Sequence, residues 1–364
     1  MRSSRQAIPR VCIQRIATAT PPNDIHAAFL DRASGMLHDG RVRSLLAHMA
    51  KRSGIDHRYS YIQAGDQAGT ARIPESSDAE PVFPAGSFPA TAKRMELFES
   101  FAPHLMRCAL DRLALNTEER SRIRHVIVTC CTGLYAPGLD FDAIDHLHLD
   151  SNTERTMIGF MGCYAAINGL KLARHIVRSE PDASVLMVNL ELCSLHFQET
   201  QDLEKMLSFL LFGDGCAASL IRVDDHGIAF DEFRAISIPE TRDLIRWSIG
   251  DSGFDMELSG EVPGELRKTL RERANELDPH SDIDLWAIHP GGRSILDAVQ
   301  AGLELAADKL TASRSVLRRF GNMSSASVMF VLQELMRTAQ AGQRGCAMSF
   351  GPGLTAETMS FHVL

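Results

Sequence analysis

Short apolar runs alternate with longer periodic stretches along the chain. "HVIVTC" (125–130), "SVLMVNLEL" (184–192), "GCAASLIRV" (215–223), "DLWAIHP" (284–290), "GCAMSF" (345–350) and "TAETMSFHV" (355–363) are each predicted as strands, most of them buried. Two helical patterns stand between them. One opens at Cys163 and continues through Ala165, Ala166, Ile167, Gly169 and Leu170. The other, "NMSSASVMFVLQELMRTAQ", opens at Asn322. A third helix is predicted from about Ser294, after the turn Pro290-Gly291-Gly292. Residues 64–90, rich in Gly, Pro, Ser and acidic side chains, read as a long surface loop.

The order of these elements repeats. Each half runs strand, excursion, polar residue at a helix start, helix, strand, strand. About 35 residues separate the first strand from the polar residue, which is Cys163 in one half and Asn322 in the other. Any α/β protein alternates in this way. A true duplication would set the two helices back to back, with Cys163 and Asn322 aimed at one cleft. The halves would be residues 1–223 and 224–364.

Composition narrows the function. With 364 residues, 45% hydrophobic and 23% charged, the chain has room for two domains or one large duplicated one. A net charge of −8 without a long Lys/Arg run argues against general nucleic-acid binding, while small basic clusters remain able to hold a phosphate. No uninterrupted apolar segment is long enough for a membrane span, and the basic N-terminus has no signal-peptide core. Among the eight cysteines no pair has C-x-x-C spacing, so zinc ribbons and thioredoxin chemistry are not expected. Free thiols in a reducing cytoplasm are the simplest expectation.

Three residues carry candidate chemistry. Cys163 stands at a helix start, where unpaired N–H groups favour a thiolate, and Gly159 and Gly162 allow a tight entry turn. The alternative is a small buried hydrophobe. His289 stands at the exit of a strand beside a turn, a position that favours a site residue in α/β proteins, although it could simply cap the turn. Asn322, after Gly321, is either a donor or a helix N-cap. Together they suggest nucleophilic acyl transfer, with His289 holding Cys163 as thiolate and His289 and Asn322 donating to a thioester oxygen. Papain-like proteases also combine Cys, His and Asn, but no protease-type Cys motif is present.

At these residues the sequence resembles the type III polyketide synthases, the chalcone-synthase-like branch of the thiolase superfamily. "ATATPPN" (17–23), "GFMGCYAAINGLKLAR", "LFGDGCAASLI", "IHPGGRSILD", "GNMSSASV" and "SFGPGLTAET" match that family's motifs in order over nearly the whole chain. The resemblance implies a thiolase-like α/β fold with a duplicated αβαβα core, a homodimer, coenzyme A thioesters as substrates and no cofactor or metal. It implies that Cys163 carries the acyl chain and that His289 and Asn322 bind the malonyl thioester, promote decarboxylation and stabilise the enolate. Phe212 falls at a gatekeeper position between a coenzyme A tunnel and the cavity. Arg52 matches one basic residue of the tunnel mouth. His48 and Leu45 fall where plant members carry two more, which puts those phosphate contacts in doubt.

Departures from the plant pattern bear on substrate. Met256 replaces a second gatekeeper phenylalanine. Cys131, Cys193 and His196 fall where threonines line the cavity. Trp247 falls at a glycine position and is expected to block one pocket. Ala136 replaces a methionine that enters the partner's cavity. Together these imply a medium or long aliphatic starter, extended by about two or three malonyl units to alkylpyrones or alkylresorcinols as in microbial relatives, with each buried CH₂ contributing roughly 0.8 kcal/mol. A ketoacyl-carrier-protein synthase uses the same three residues, but the "FGPG" and "HPGG" contexts favour the polyketide reading. A thiolase needs a second reactive cysteine, whereas Cys346 reads as strand core. A catalytically silent scaffold is the remaining alternative, and the intact Cys/His/Asn set argues against it.

Overall fold

The computed structural model describes residues 10–63, 70–72, 79–277 and 282–364. Nine strands form one mixed sheet: β1 (Val11–Ala19), β2 (Ile123–Cys130), β3 (Glu154–Gly159), β4 (Ser184–Leu192), β5 (Asp214–Val223), β6 (Ile228–Ser237), β7 (Leu285–Ile288), β8 (Arg344–Gly351) and β9 (Thr355–Val363). Their spatial order is β7-β8-β9-β6-β1-β5-β4-β2-β3. The order mirrors about the β1–β6 seam. The β1–β5 and β6–β9 pairs are antiparallel, as are β5–β4 and β9–β8, while β4–β2 and β8–β7 are parallel. Each half therefore folds the same way. The seam is short, pairing Cys12 with Ala229 and Ile13 with Ile228.

Strand alternation sorts side chains into layers, because successive residues face opposite sides of a sheet. Val126 and Val128 face an outer core with Phe98, Phe101 and Leu105 of the helix Thr91–Leu113. Ile127 between them faces an inner core. In the second half Ala287 and Ala347 face that same inner core, while Trp286, Ile288, Cys346 and Met348 face a second outer core with Leu266, Leu270, Leu296 and Val299. The inner core is filled by the helices Ala165–Ser179 and Ala326–Met336. The result is an αβαβα stack with the two predicted helices at its centre. Gly169 sets the closeness of one of them, since a Cβ there would meet Met187 Sδ at 2.8 Å.

Three expectations need correction. Cys163 lies in a 3₁₀ turn, Gly162–Tyr164, just ahead of its helix. Asn322 lies before its helix, which starts only at Ala326. The stretch 64–90 is more than a surface loop: Thr70–Arg72 and Ala79–Pro81 pair as strands, and Val82 and Phe83 are buried. Apolar side chains inside a turn-rich segment supply the reason, with Phe83 packing against Phe88 and Phe197. Residues 64–69 and 73–78 of that stretch lie outside the described residues. The hairpin formed by Ile245–Gly250 and Gly253–Leu258, together with β1, β3, β6 and the helix Thr91–Leu113, was not anticipated from sequence. Among the described residues no helix is long and apolar enough to cross a membrane.

Candidate active site

The turn that presents Cys163 is built from backbone outliers. After β3 the chain passes through Phe160 and Gly162, both with positive φ, of 56° and 75°. Gly162 is obligatory on two counts: its φ is left-handed, and a Cβ would meet Pro352 Cδ at 2.4 Å. Gly159 has no such need, since a Cβ there would make only an ordinary contact, 3.7 Å from Cys130 O. The Gly162 N–H donates to Cys131 Sγ at 3.1 Å, which fixes the turn against the end of β2.

His289 follows β7 and is held by its own backbone, donating N–H to Met348 O at 2.8 Å. The residue is 1% exposed, and among the described residues neither ring nitrogen has a partner. Two unpartnered nitrogens on a buried imidazole are costly unless a ligand meets them. Asn322 does not cap the following helix. Its Oδ1 accepts from Ser324 N at 2.8 Å and its Nδ2 donates to Gly291 O at 3.2 Å, which leaves one amide hydrogen for the cavity. Its backbone is stitched to the gatekeeper segment by Asn322 N to Leu211 O, 2.8 Å, and Gly213 N to Asn322 O, 2.9 Å.

Cys163, His289 and Asn322 line one cavity, together with Phe212, Cys131, Cys193, Trp247 and Met256. The half-buried thiol donates to Ser324 Oγ at 3.7 Å. Burial pushes the thiol up to about 12; buried Glu191 adds to the rise, while Ser324 and Asn322 oppose it. Burial also pulls His289 down to about 3. Burial thus pushes each group toward its neutral form. Low-dielectric surroundings disfavour both charged forms, and no hydrogen bond joins the two side chains among those described.

A second cavity lies behind the first, with Phe29, Ile62, Phe83, Phe197 and Phe209 in its walls. Phe212, Trp247, Met256 and Cys193 line both and so form the partition. Trp247 and Met256 are cross-strand partners of the hairpin, and Trp247 Nε1 donates to Cys131 O at 2.9 Å. His196 departs from expectation: it faces the second cavity alone. Its ring stacks on Phe254 at 4.2 Å and is bonded at both nitrogens, to Thr132 O (2.7 Å) and Phe254 N (3.0 Å). Burial lowers its pKa to about 3.

His48 and Arg52 stand at an outer cleft with Arg293, and that cleft shares Leu258, Val262, Gly291 and Ile295 with the Cys163 cavity. Leu45 is 46% exposed. Ala136 is exposed at the surface. Cys346 is fully buried in β8, as expected, and all eight cysteines are free thiols.

Sequence reading missed Ser324, the thiol's partner, and Glu191 beneath the cavity. Glu191 accepts from Cys131 N (3.0 Å), Thr132 Oγ1 (2.9 Å) and Ser325 Oγ (2.6 Å), and burial raises its pKa to about 7. A carboxylate inside the otherwise apolar run "SVLMVNLEL" was the available signal. Arg58 was missed too. It is 1% exposed, and its Nη1 clamps Phe209 O and Phe212 O, each at 2.7 Å, behind the gatekeeper.

A thiol, an unpartnered imidazole and a free amide hydrogen at the centre of a duplicated αβαβα stack define a condensing acyltransferase of the thiolase-like fold. The chain belongs to the chalcone and stilbene synthase family: the N-terminal domain model matches residues 5–225 and the C-terminal domain model residues 232–364. It is a type III polyketide synthase. It is 33% identical over 370 residues to the alpha-pyrone synthesis polyketide synthase-like Pks18 of Mycobacterium tuberculosis, covering 97% of this chain and 91% of that protein. It is 30% identical over 391 residues to bisdemethoxycurcumin synthase of Oryza sativa subsp. japonica, covering 100% and 94%. Among solved structures it is similar to PKS-I from the brown alga Ectocarpus siliculosus, with a TM-score of 0.87, 28% identity, and 99% and 100% of the two chains covered.

Proposed function

We propose that the enzyme loads an aliphatic acyl group from coenzyme A onto Cys163, extends it with malonyl-coenzyme A and cyclises the chain to alkylpyrone or alkylresorcinol products. In loading, the Cys163 thiol attacks the acyl carbonyl, its proton passes to a neutral His289, and coenzyme A leaves as the thiol. In extension, malonyl-coenzyme A loses CO₂ to give an enolate, which attacks the Cys163 thioester and returns the chain to coenzyme A. His289 Nε2 and the free hydrogen of Asn322 Nδ2 donate to the thioester oxygen where charge develops; one such donor is worth roughly 100- to 1000-fold in rate. Phe212 gates the passage, and Arg52 and His48 meet the coenzyme A phosphates at the outer cleft. The coenzyme A thioesters are substrates, and the reaction needs no cofactor.

The second cavity carries the choice of starter. Its walls are mostly apolar, with Arg32, Arg58 and Gln63 among them, and it lies across the Phe212–Trp247–Met256 partition from the thiol, so an alkyl chain can thread through while the carbonyl stays at Cys163. The printed name of Pks18 concerns alpha-pyrone synthesis, which is consistent with lactone closure here. A ladder of acyl-coenzyme A starters with malonyl-coenzyme A, read by product mass, tests the reading. Turnover should rise with chain length until the cavity is full, and Trp247→Gly should shift product length or closure. A flat ladder, a preference for coumaroyl-coenzyme A, or Trp247→Gly products equal to the parent's would refute it. Cys163→Ala should abolish acylation, with no adduct elsewhere.

We further propose a homodimer. Leu134, Phe141, Met157 and Met161 are large exposed apolar residues, and β3 is a sheet edge. Arg155 stacks over Phe141 at 4.2 Å, which places β3 beside the helix Leu139–Leu147 on one face. The division into halves at residues 223 and 224, and a cytoplasmic location, belong to the same proposal.

A further inference from the structure

The helix Gly40–Arg52 borders the outer cleft, and its solvent face has an unusual makeup. Arg41, Leu45, His48, Met49 and Arg52 are all exposed. Their spacing of four, seven, eight and eleven residues places them in one stripe. Leu45 and Met49 are 46% and 40% exposed. Arg43 and Lys51 flank the stripe, and the helix contains no Asp or Glu although the whole chain carries −8. Among the described residues none of Arg41, Lys51 or Arg52 has a carboxylate in ion-pair contact. The acids lining the cleft are Glu204 and Asp297, and Asp297 is engaged by Arg314 at 2.7 Å and Arg293 at 3.6 Å, while Asp39 caps the helix through Arg41 N at 2.7 Å.

A basic stripe at the mouth suits phosphates, and it also carries two large exposed apolar side chains among the cations. They suit a protein surface that is acidic at its rim and apolar at its centre. The same mouth already admits a phosphopantetheine arm, the part common to coenzyme A and to acyl-carrier proteins. We propose that this helix face docks a small acidic acyl-carrier protein, which delivers the starter to Cys163 as a phosphopantetheine thioester. This inference rests on the reading of Cys163 as the acyl acceptor. The transfer balances as before: the Cys163–acyl bond forms, the carrier thioester breaks, and the Cys163 proton ends on the carrier's thiol. The stripe is too small for a membrane anchor, with only Leu45 and Met49 able to insert.

Steady-state turnover of the full-length enzyme with malonyl-coenzyme A tests this, comparing decanoyl-coenzyme A with decanoyl on a fatty-acid acyl carrier protein. Both starters should give the same products. Arg41→Glu, on the docking face, should lower kcat/KM for the carrier-bound starter by roughly tenfold or more while leaving the coenzyme A starter within about twofold. Added salt should weaken the carrier reaction more steeply. Leu45→Asp should reduce direct binding of the carrier. Turnover of decanoyl-coenzyme A with none of the carrier-bound starter overturns this inference alone. So do variants that slow both starters equally, or a Leu45→Asp change that abolishes binding to anionic phosphatidylglycerol vesicles and leaves the carrier untouched. Turnover of neither starter overturns the Cys163 reading as well.

Discussion

At the residue scale, the central tension is between a thiol that must react and a cavity that keeps it neutral. Desolvation raises Cys163 and lowers His289, which pushes each toward its neutral form before substrate arrives. In the proposed loading step, the proton passes from sulfur to imidazole as the carbonyl is attacked. A measurable consequence concerns pH. Because the thiol is raised to about 12, its thiolate fraction should still be climbing between pH 7 and pH 9. Iodoacetamide modification of Cys163 should therefore accelerate about tenfold per pH unit across that window. A rate that levels off by pH 7 would show a resident thiolate–imidazolium pair instead. Cys163 and His289 were legible as chemistry because each sits beside glycines at the end of a regular element. Ser324 was not legible: its contact with the thiol depends on Asn322 Oδ1 pinning the Ser324 backbone at a positive φ of 46°.

At the element scale, two short devices position the site. The first is the Phe160–Gly162 turn, which swings the chain from β3 into the central helix and leaves Cys163 facing the cavity. Gly162→Ala should cost about 1–2 kcal/mol for the left-handed backbone, with the Pro352 clash added. Thermal denaturation should show a clear loss, and starter loading should fall with it. Gly159→Ala, whose Cβ meets only an ordinary contact, should stay near the parent in both assays. Equal behaviour of the two variants would mean that the turn is not what presents the thiol. The second device is the hairpin, whose cross-strand pair Trp247 and Met256 forms the wall between the cavities. Its first strand alternates Ile245, Trp247 and Ile249 with Arg246 and Ser248, the pattern of a half-buried strand, so this signal was available in the sequence.

At the scale of the whole molecule, the exposed apolar face beside β3 should be covered by a second copy. Sedimentation equilibrium of the parent should report a dimer, and Phe141→Asp with Met157→Asp should shift it toward monomer at the same concentration. A parent that remains monomeric at micromolar concentration would refute this. The sequence by itself determined the duplicated order. Buried strands announce themselves through contiguous apolar runs, and those of β4, β8 and β9 match the structure closely. It also singled out Cys163, His289 and Asn322, which the fold brings to one cavity, because their flanking turns are local. Only the tertiary structure decided that two cavities share one partition, that His196 belongs to the second of them, and that Glu191 lies beneath the thiol. Those facts depend on contacts between residues far apart in the chain, such as Trp247 with Cys131 and Glu191 with Ser325, and local pattern carries no information about which distant side chains a fold brings within hydrogen-bond reach.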